Sequence, residues 1–149
     1  MQLTSYTDYS LRILLYLGIN PDRLVTIAEV ARVFGISRNH LMKVAQKLSL
    51  CGYVRSVPGK NGGMALASAP ETINLGEVVR RMESGFDVVE CFNASKNTCC
   101  IQPACLLQGV FRQAMEQFLA TLDRYTLQDI LKNREVLVRL TTAADSRAS

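Results

Sequence analysis

The chain of 149 residues has no tryptophan, a single histidine and no long run of apolar residues. A membrane-spanning helix needs about 18 or more consecutive apolar residues, so the sequence predicts no transmembrane segment and no membrane partner. The first residues also lack the basic-then-apolar order of a signal peptide, which predicts a cytoplasmic protein. Thiols stay reduced in that compartment, so clustered cysteines favour metal or redox chemistry over structural disulfides.

Features typical of enzymes are missing as well. The single histidine, His40, excludes a catalytic histidine pair, and the sequence has no glycine-rich phosphate loop and no nucleophile motif. His40 has no second metal ligand near it in the sequence, so we interpret it as a phosphate or base contact. The sequence therefore predicts that the protein is not an enzyme.

The charge that is present is unevenly distributed. Residues 1–63 carry eight Lys/Arg and three Asp/Glu, a net charge of +5, whereas residues 64–149 carry nine and ten, a net charge of −1. A basic N-terminal half suits a polyanion such as double-stranded DNA, although a solvated basic surface would look the same by charge alone.

The order of turns and apolar stripes in the first half predicts a winged helix-turn-helix. Cap residues Thr26 and Ser37 precede two short helical patterns that are separated by Gly35. Two strand-like runs follow, 53–57 and 64–66, and the Asn61-Gly62 pair between them is a tight-turn signal. The expected fold class is mainly α with a small β-hairpin wing, followed by a long C-terminal dimerisation helix.

Polar residues of the second helix and of the hairpin are the candidate DNA contacts. Arg38 could bind guanine, and Asn39 or Gln46 could bind adenine, because these side chains match the donor and acceptor pattern of the base edges. The lysines and the hairpin arginine are expected on phosphates, which set affinity and not sequence. The predicted DNA-binding set is Ser37, Arg38, Asn39, His40, Lys43, Gln46, Lys47, Arg55, Lys60 and Asn61.

Four of the five cysteines lie in one short polar segment, Cys91-x7-Cys99-Cys100-x4-Cys105. Thiolates are soft ligands that suit zinc or an iron–sulphur cluster, and a tetrahedral zinc site would need a fourth ligand that no later histidine supplies. Adjacent Cys99 and Cys100 cannot easily both reach one small cluster, so three thiolates are expected to bind. A thiol–disulfide switch, pairing Cys91 with Cys100 or Cys105, is the alternative.

A wide apolar stripe from Leu106 to Leu122 predicts one long helix that begins near Pro103. Cys105 would then lie in the first turn of that helix, where the helix dipole lowers a thiol pKa. The stripe is larger than a small winged domain can cover, so pairing with a second copy is expected.

The predicted division is a winged helix-turn-helix DNA-binding domain over 1–84, a cysteine-rich cluster-binding loop over 85–104, dimerisation helices over 105–140 and a disordered tail over 141–149.

Several segments together resemble a known family. They are Met1–Arg12 (MQLTSYTDYSLR), Ser37–Leu41 (SRNHL), Gly52–Val54 (GYV), Gly59–Gly63 (GKNGG) and Cys105 near the start of the long helix. From residue 1 to about 132 the chain resembles the winged-helix iron–sulphur repressors of the NsrR/IscR type, and most of all the nitric-oxide-sensing ones.

The resemblance implies a homodimer whose long helices cross at the interface. It also implies an iron–sulphur cluster held by Cys91, Cys99 and Cys105 of one subunit and by the partner's Asp8, with Cys100 as the alternative to Cys99. We expect a four-iron four-sulphur cluster, with a two-iron two-sulphur cluster as the alternative. Nitric oxide would attack the cluster, and the repressor would then leave its DNA operator. Asp8 by itself looks like an ordinary helix N-terminal carboxylate.

Three positions depart from the family pattern. Pro58 replaces the arginine usual before the wing glycine, the interval from Cys91 to Cys99 is long, and Gln108 replaces the histidine that is a ligand in IscR-like members. Two other functions stay open: a regulator of the same fold that senses redox or iron state through a thiol switch or cluster loss, and an iron–sulphur carrier without a DNA function.

Overall fold

The computed structural model describes residues 2–148. Seven α-helices and one β-hairpin follow one another within these residues: α1 Ser5–Ile19, α2 Ile27–Phe34, α3 Arg38–Leu50, β1 Val54–Val57, β2 Gly63–Leu66, α4 Leu75–Met82, α5 Leu107–Leu122, α6 Leu127–Ile130 and α7 Arg134–Ala148. Single 3-10 turns form at Pro70–Thr72, Glu90–Phe92 and Gln102–Ala104. The expected fold class, mainly helical with one hairpin, is confirmed.

Helix α1 lies at the centre of the core. Its Ile13, Leu14 and Leu17 are almost completely buried, together with Leu41 and Leu48 of α3. Burying a side chain of this size stabilises the fold by about 1.5–3 kcal/mol relative to leaving it exposed. The helix packs against α3, α4, α6 and β2. A displacement of α1 would therefore change its packing against each of these elements.

The Thr26-x-x-Glu29 spacing predicts a capping box at the start of α2, and the structure forms half of it. The Thr26 hydroxyl accepts a hydrogen bond from the Glu29 amide, 3.1 Å away, and Gly35 ends the helix with a left-handed φ of 64°. The Glu29 carboxylate does not return to the cap, because it accepts bonds from Arg23 and from the Tyr16 hydroxyl instead. The capping box is thus half formed, and the carboxylate ties α2 to α1.

The hairpin pairs Val54 with Leu66 and Val57 with Gly63 in antiparallel register. Its connection bends at Gly59, whose φ is 106°, and the Gly62 amide donates to the Gly59 carbonyl at 3.0 Å. The turn closed by this bond spans residues 59–62 and so includes the predicted Asn61-Gly62 pair, but the positive φ lies at Gly59 and not at Gly62. A positive φ costs glycine no steric strain, and Gly59 offers one earlier in the connection. A two-way backbone bridge between Val25 and Met64 joins the hairpin to the segment before α2.

The C-terminal end of α5 is fixed to the N-terminal domain. The Asp123 carboxylate accepts two bonds from Arg80 of α4, at 2.5 and 2.6 Å, and the Asp123 carbonyl accepts one from the Asn74 amide at 2.7 Å. Gly76 permits this approach, since a Cβ there would lie 2.0 Å from an Asp123 oxygen. The next helix, α6, begins with a full capping box between Thr126 and Asp129.

Helix α7 replaces the disordered tail that the sequence predicted over 141–149. The helix extends to Ala148 and packs against α2, where Arg32 donates to Asp145 at 2.5 and 3.1 Å. The Arg134 guanidinium also donates to the Ile19 carbonyl at 3.0 Å. The tail prediction was wrong for 141–148 because these contacts join residues far apart in sequence; Ser149 lies outside the described residues. The division into four segments otherwise stays a prediction.

Candidate functional site

The candidate DNA-binding residues lie at the N-cap of α3, along α3 and on the hairpin, on the outside of the protein. Nine of the ten are exposed, and Lys47 is half-buried. Ser37 precedes the helix without a side-chain cap bond, so its hydroxyl has no bond to the helix end. The basic residues Arg38, Lys43, Arg55 and Lys60 have no ion pair with any described carboxylate within 4 Å. Cations that no acid neutralises are available to phosphates.

A contact between α1 and α3 fixes the position of α3, the candidate recognition helix. The Tyr6 hydroxyl of α1 donates to the Lys43 carbonyl at 2.9 Å, and the Lys47 ammonium lies 5.4 Å from the centre of the Tyr6 ring. Burial, with a smaller contribution from Cys51, raises the pKa of Tyr6, so the hydroxyl keeps its proton and remains a donor. Sequence reasoning counted Tyr6 only as a member of the apolar stripe and missed its bond.

The N-terminus of α1 is held by an acid at the end of α4. One Glu83 oxygen accepts bonds from the Thr7 hydroxyl at 2.7 Å, the Thr4 amide at 3.0 Å and the Thr4 hydroxyl at 3.2 Å. Thr7 is fully buried. No local signal in the sequence indicates this contact, since 79 residues separate Thr4 from Glu83.

Asp8 lies one turn into α1, on the rim of a surface cleft that also contains Leu3, Phe34 and Gly35. Its carboxylate pairs with Arg12 at 2.8 Å, and 44% of its side chain is exposed. The Arg12 guanidinium in turn lies 5.9 Å from the centre of the Phe34 ring. A partly exposed carboxylate with a single cationic neighbour on its own helix can be reached by a group from another molecule.

The cysteine loop is built from 3-10 turns and short side-chain bonds. The Gln108 amide of α5 donates to the Cys91 carbonyl at 2.8 Å, and the Cys99 amide donates to the Asn97 side chain at 3.1 Å. All five cysteines are free thiols; Cys100 is exposed, whereas the others are half-buried. Of the two adjacent candidates, Cys99 is therefore the one that the loop holds and partly shields.

Cys105 lies outside the long helix. A 3-10 turn ends at Ala104, Cys105 has an extended backbone (φ −80°, ψ 113°), and α5 begins at Leu107. The prediction that Cys105 occupies the first helical turn was wrong, because Gln102 and Pro103 begin the 3-10 turn and not α5. The helix-dipole argument for a reactive thiol at this position no longer applies.

The family of the chain follows from a comparison with known proteins. Residues 3–133 match the model of the family Rrf2, which is described as "Iron-dependent Transcriptional regulator". The chain belongs to the Rrf2 family. Members are transcriptional regulators, which agrees with the absence of enzyme motifs from the sequence, and the resemblance to iron–sulphur repressors is confirmed at the level of the family.

Curated relatives of this Rrf2 protein carry the name "HTH-type transcriptional regulator NsrR". Those from Bacillus subtilis (strain 168) and Halalkalibacterium halodurans are each 49% identical over 141 residues, which cover 94% of this chain and 97% of the relative. Among solved structures, T. potens IscR is similar with a TM-score of 0.71 at 23% identity, covering 89% of this chain and 88% of that one. CymR of B. subtilis follows with a TM-score of 0.64 at 23% identity, covering 87% and 95%. The two structures support the fold alone.

The donor set of this Rrf2 protein suits an iron–sulphur cluster in its chemistry. Cys91, Cys99 and Cys105 are free thiols on one loop, and thiolates are the usual ligands of such clusters. Within residues 2–148 of a single chain, no three His, Cys, Asp or Glu side chains converge as a metal-binding group. The structure therefore does not bring Cys91, Cys99 and Cys105 of one chain together at a single point, and Asp8 lies at the α1 cleft.

Helix α5 exposes apolar side chains that its own chain does not cover. None of its residues is buried, and Leu106, Leu107, Val110 and Phe111 are among the exposed large apolar residues. A cavity of about 340 Å³ lies beside them, between Val88 and residues 111–118. The expectation that a second copy covers α5 stays a prediction.

In the part of the chain that the structure describes, no helix is long and apolar enough to cross a membrane.

Proposed function

We propose that this Rrf2 protein is a homodimeric, iron–sulphur-dependent repressor that senses nitric oxide. Cys91, Cys99 and Cys105 of one subunit would hold the cluster together with the partner's Asp8. A four-iron four-sulphur cluster is preferred, and a two-iron two-sulphur cluster is the alternative. When bound, the cluster supplies iron that reacts with nitric oxide. The curated relatives named NsrR and the donor chemistry of the loop support the proposal.

The observation that carries the proposal is that Asp8 and the Tyr6 bond to α3 lie on the same turn of α1. Asp8 lies on α1, and two residues earlier Tyr6 bonds to the backbone of the recognition helix at 2.9 Å. A change at Asp8 therefore acts on the same helical turn that positions Lys43 and its neighbours. The carboxylate is a harder ligand than thiolate and binds iron less strongly, so it is the ligand that is displaced first.

The DNA step follows from the exposed cations of α3 and the hairpin. In a dimer each recognition helix would enter a major groove at one half-site, with the two half-sites separated by about one helical turn of DNA. Release of α1 in either subunit changes the separation of the two recognition helices, and the affinity falls because both half-sites can no longer be bound together.

The deciding experiment uses protein purified without oxygen, with its iron and sulphide counted and its absorption spectrum recorded during titration with nitric oxide. We expect a cluster spectrum that bleaches in step with loss of DNA binding. A cluster that is indifferent to nitric oxide would contradict the sensing step and leave iron or redox state as the signal. Protein without iron under strict anaerobiosis would contradict the cluster and favour the thiol–disulfide switch.

Two single substitutions identify the ligand in the adjacent pair. Cys99→Ala is expected to abolish cluster binding, whereas Cys100→Ala, with the same change one residue away on an exposed thiol, is expected to retain it. Asp8→Ala should retain the protein's fold, because the Asp8 carboxylate bonds only to Arg12 among the described residues, yet destabilise the cluster. The opposite result for the two cysteines would assign Cys100 as the ligand.

A further inference from the structure

An open groove separates the recognition helix from the wing. Its volume is about 430 Å³, and its walls are mostly apolar. Met42, Gln46 and Ser49 of α3 form one wall, and Ser56 with Gly62 forms part of the other. The groove lies among the residues that carry the candidate DNA contacts, and none of those contacts explains its apolar wall.

Met42 is unusual on this helix. Its side chain is 52% exposed, whereas the other apolar residues of α3 up to Leu48 are buried in the core. A single exposed apolar residue on an ordinary surface needs no explanation. Met42, however, lies one helical turn after Arg38 and one before Gln46, so the three share one stripe of α3. Arg38 and Gln46 are the residues expected to bind guanine and adenine.

Two glycines of the hairpin, Gly62 and Gly63, line the groove opposite Met42, and neither has space for a side chain. A Cβ on Gly62 would lie 2.1 Å from the Val57 carbonyl oxygen, and one on Gly63 would lie 2.9 Å from the Val25 carbonyl oxygen. At the far end the hydroxyls of Ser49 and Ser56 approach to 3.4 Å. The wing therefore leaves room beside Met42 that no side chain of its own fills.

We propose that Met42 contacts the C5-methyl group of a thymine in each half-site and thereby sets the sequence preference at that base pair. The inference rests on the proposed DNA-binding function and adds a specificity-determining residue to it. Thymine is the base that presents an apolar group in the major groove. Methionine, unbranched and polarisable, adapts its shape to such a contact.

Charge selects DNA over other occupants of the groove. The unpaired cations Arg38 and Lys43 flank Met42 on α3, and Arg55 lies on the hairpin strand beyond it. A second copy of this chain would bring the same positive charges to face them, and an apolar peptide would leave them without partners. A polyanion that carries a methyl group at the depth of the base edges satisfies both the cations and the apolar wall.

The test removes one methyl group at a time. A binding site is selected from random duplexes with the full-length protein, kept without oxygen, and each thymine is then replaced singly by deoxyuridine, which lacks only the C5-methyl. For the wild type, one replacement in each half-site should weaken binding about fourfold, as expected for exposing one methyl group. In Met42→Ala the same replacement should change the dissociation constant less than 1.5-fold. Leu50→Ala, which truncates an apolar side chain on α3 that is 82% exposed and outside the groove, should keep the fourfold effect.

Three results would overturn the inference. If no thymine replacement weakens wild-type binding, or if the sensitive thymine is equally sensitive in Met42→Ala, then Met42 does not contact the methyl group. If Met42→Ala changes the oligomeric state and not the base preference, the groove belongs to a protein interface. If the protein binds DNA in a salt-dependent and sequence-specific way but replacement of thymine by deoxyuridine has no effect, the Met42 contact alone is refuted. If the protein shows no sequence-specific DNA binding at all, the proposed function is refuted as well.

Discussion

Replacement of Glu83 by alanine should destabilise the protein through the N-terminus of α1. The change removes the one oxygen that accepts bonds from the Thr7 hydroxyl, the Thr4 amide and the Thr4 hydroxyl. The two Thr4 groups are exposed, so water can replace the carboxylate there. The Thr7 side chain is fully buried, and its hydroxyl would be left with a poor partner, the Thr4 hydroxyl 3.4 Å away.

The expected cost follows from these differences in exposure. A buried polar group that loses its partner costs about 1–3 kcal/mol, and bonds to a charged group lie at the upper end of that range. We expect Glu83→Ala to lower the free energy of unfolding by about 2–3 kcal/mol. For a chain of this length each kcal/mol lowers Tm by about 2–4 °C, so Tm should fall by about 5–10 °C.

The acid dependence of the contact has a definite sign. Burial raises the pKa of Glu83, but the hydrogen bonds from Thr7 and Thr4 outweigh it, and the pKa lies below its ordinary value of 4.5. A carboxyl with a lowered folded-state pKa stabilises the fold above its unfolded pKa and loses that contribution as pH falls through the folded value. The difference in unfolding free energy between wild type and Glu83→Gln should therefore be full at neutral pH and shrink below pH 4.5.

The assay is urea unfolding followed by circular dichroism, on a double-mutant cycle of Glu83→Ala and Thr7→Val. Valine has the shape of threonine without the donor, so Thr7→Val should make the loss of Glu83 less costly by at least about 1 kcal/mol. Additive effects of the two changes, or a cost of Glu83→Ala below about 0.5 kcal/mol, would refute the idea that this acid holds α1.

Three further changes test other contacts. Tyr6→Phe removes the bond to the Lys43 carbonyl and should cost about 1 kcal/mol in urea unfolding while weakening DNA binding in a mobility-shift assay; unchanged DNA binding would contradict its role in positioning α3. Val110→Glu, on a position 59% exposed, should convert a dimer to monomers in analytical ultracentrifugation with little change in helix content, and a persistent dimer would contradict pairing through α5. Gly62→Ala forces a Cβ against the Val57 carbonyl and should lower both stability and DNA affinity, unlike Gly85→Ala, which has open space.

Local signals in the sequence were sufficient where the stabilising contact is itself local. The caps at Thr26 and Asn74 could be predicted because each side-chain oxygen accepts from an amide three residues later. Helix α7 could not, since its contact to α2 joins Arg32 and Asp145, 113 residues apart. Residues 141–148 (TTAADSRA) are small or polar and carry no apolar stripe, so this end of α7 looked like a tail.

In the candidate site too, the residues placed by local sequence signals could be predicted and those placed by long-range packing could not. The residues of the recognition helix could be placed from the helix-turn-helix pattern, because their exposure follows from the helical period. The Glu83 contact could not be predicted, as it depends on how α4 packs beside α1. The proposal that the partner's Asp8 completes the ligand set cannot be derived from the spacing of cysteines in one chain, and it came only from resemblance.

The fixed end of α5 limits how that helix can move. Asp123, just past its last turn, is held by Arg80 and Asn74, whereas the cysteine loop attaches to its first turn through Gln108. A helix of 16 residues is about 24 Å long, so a displacement of about 2 Å at the loop tilts it by roughly 5° about the Asp123 end. In the proposed dimer, with two such helices paired, both tilts would occur at once, and a small change in the loop would become a rotation of one set of N-terminal helices relative to the other.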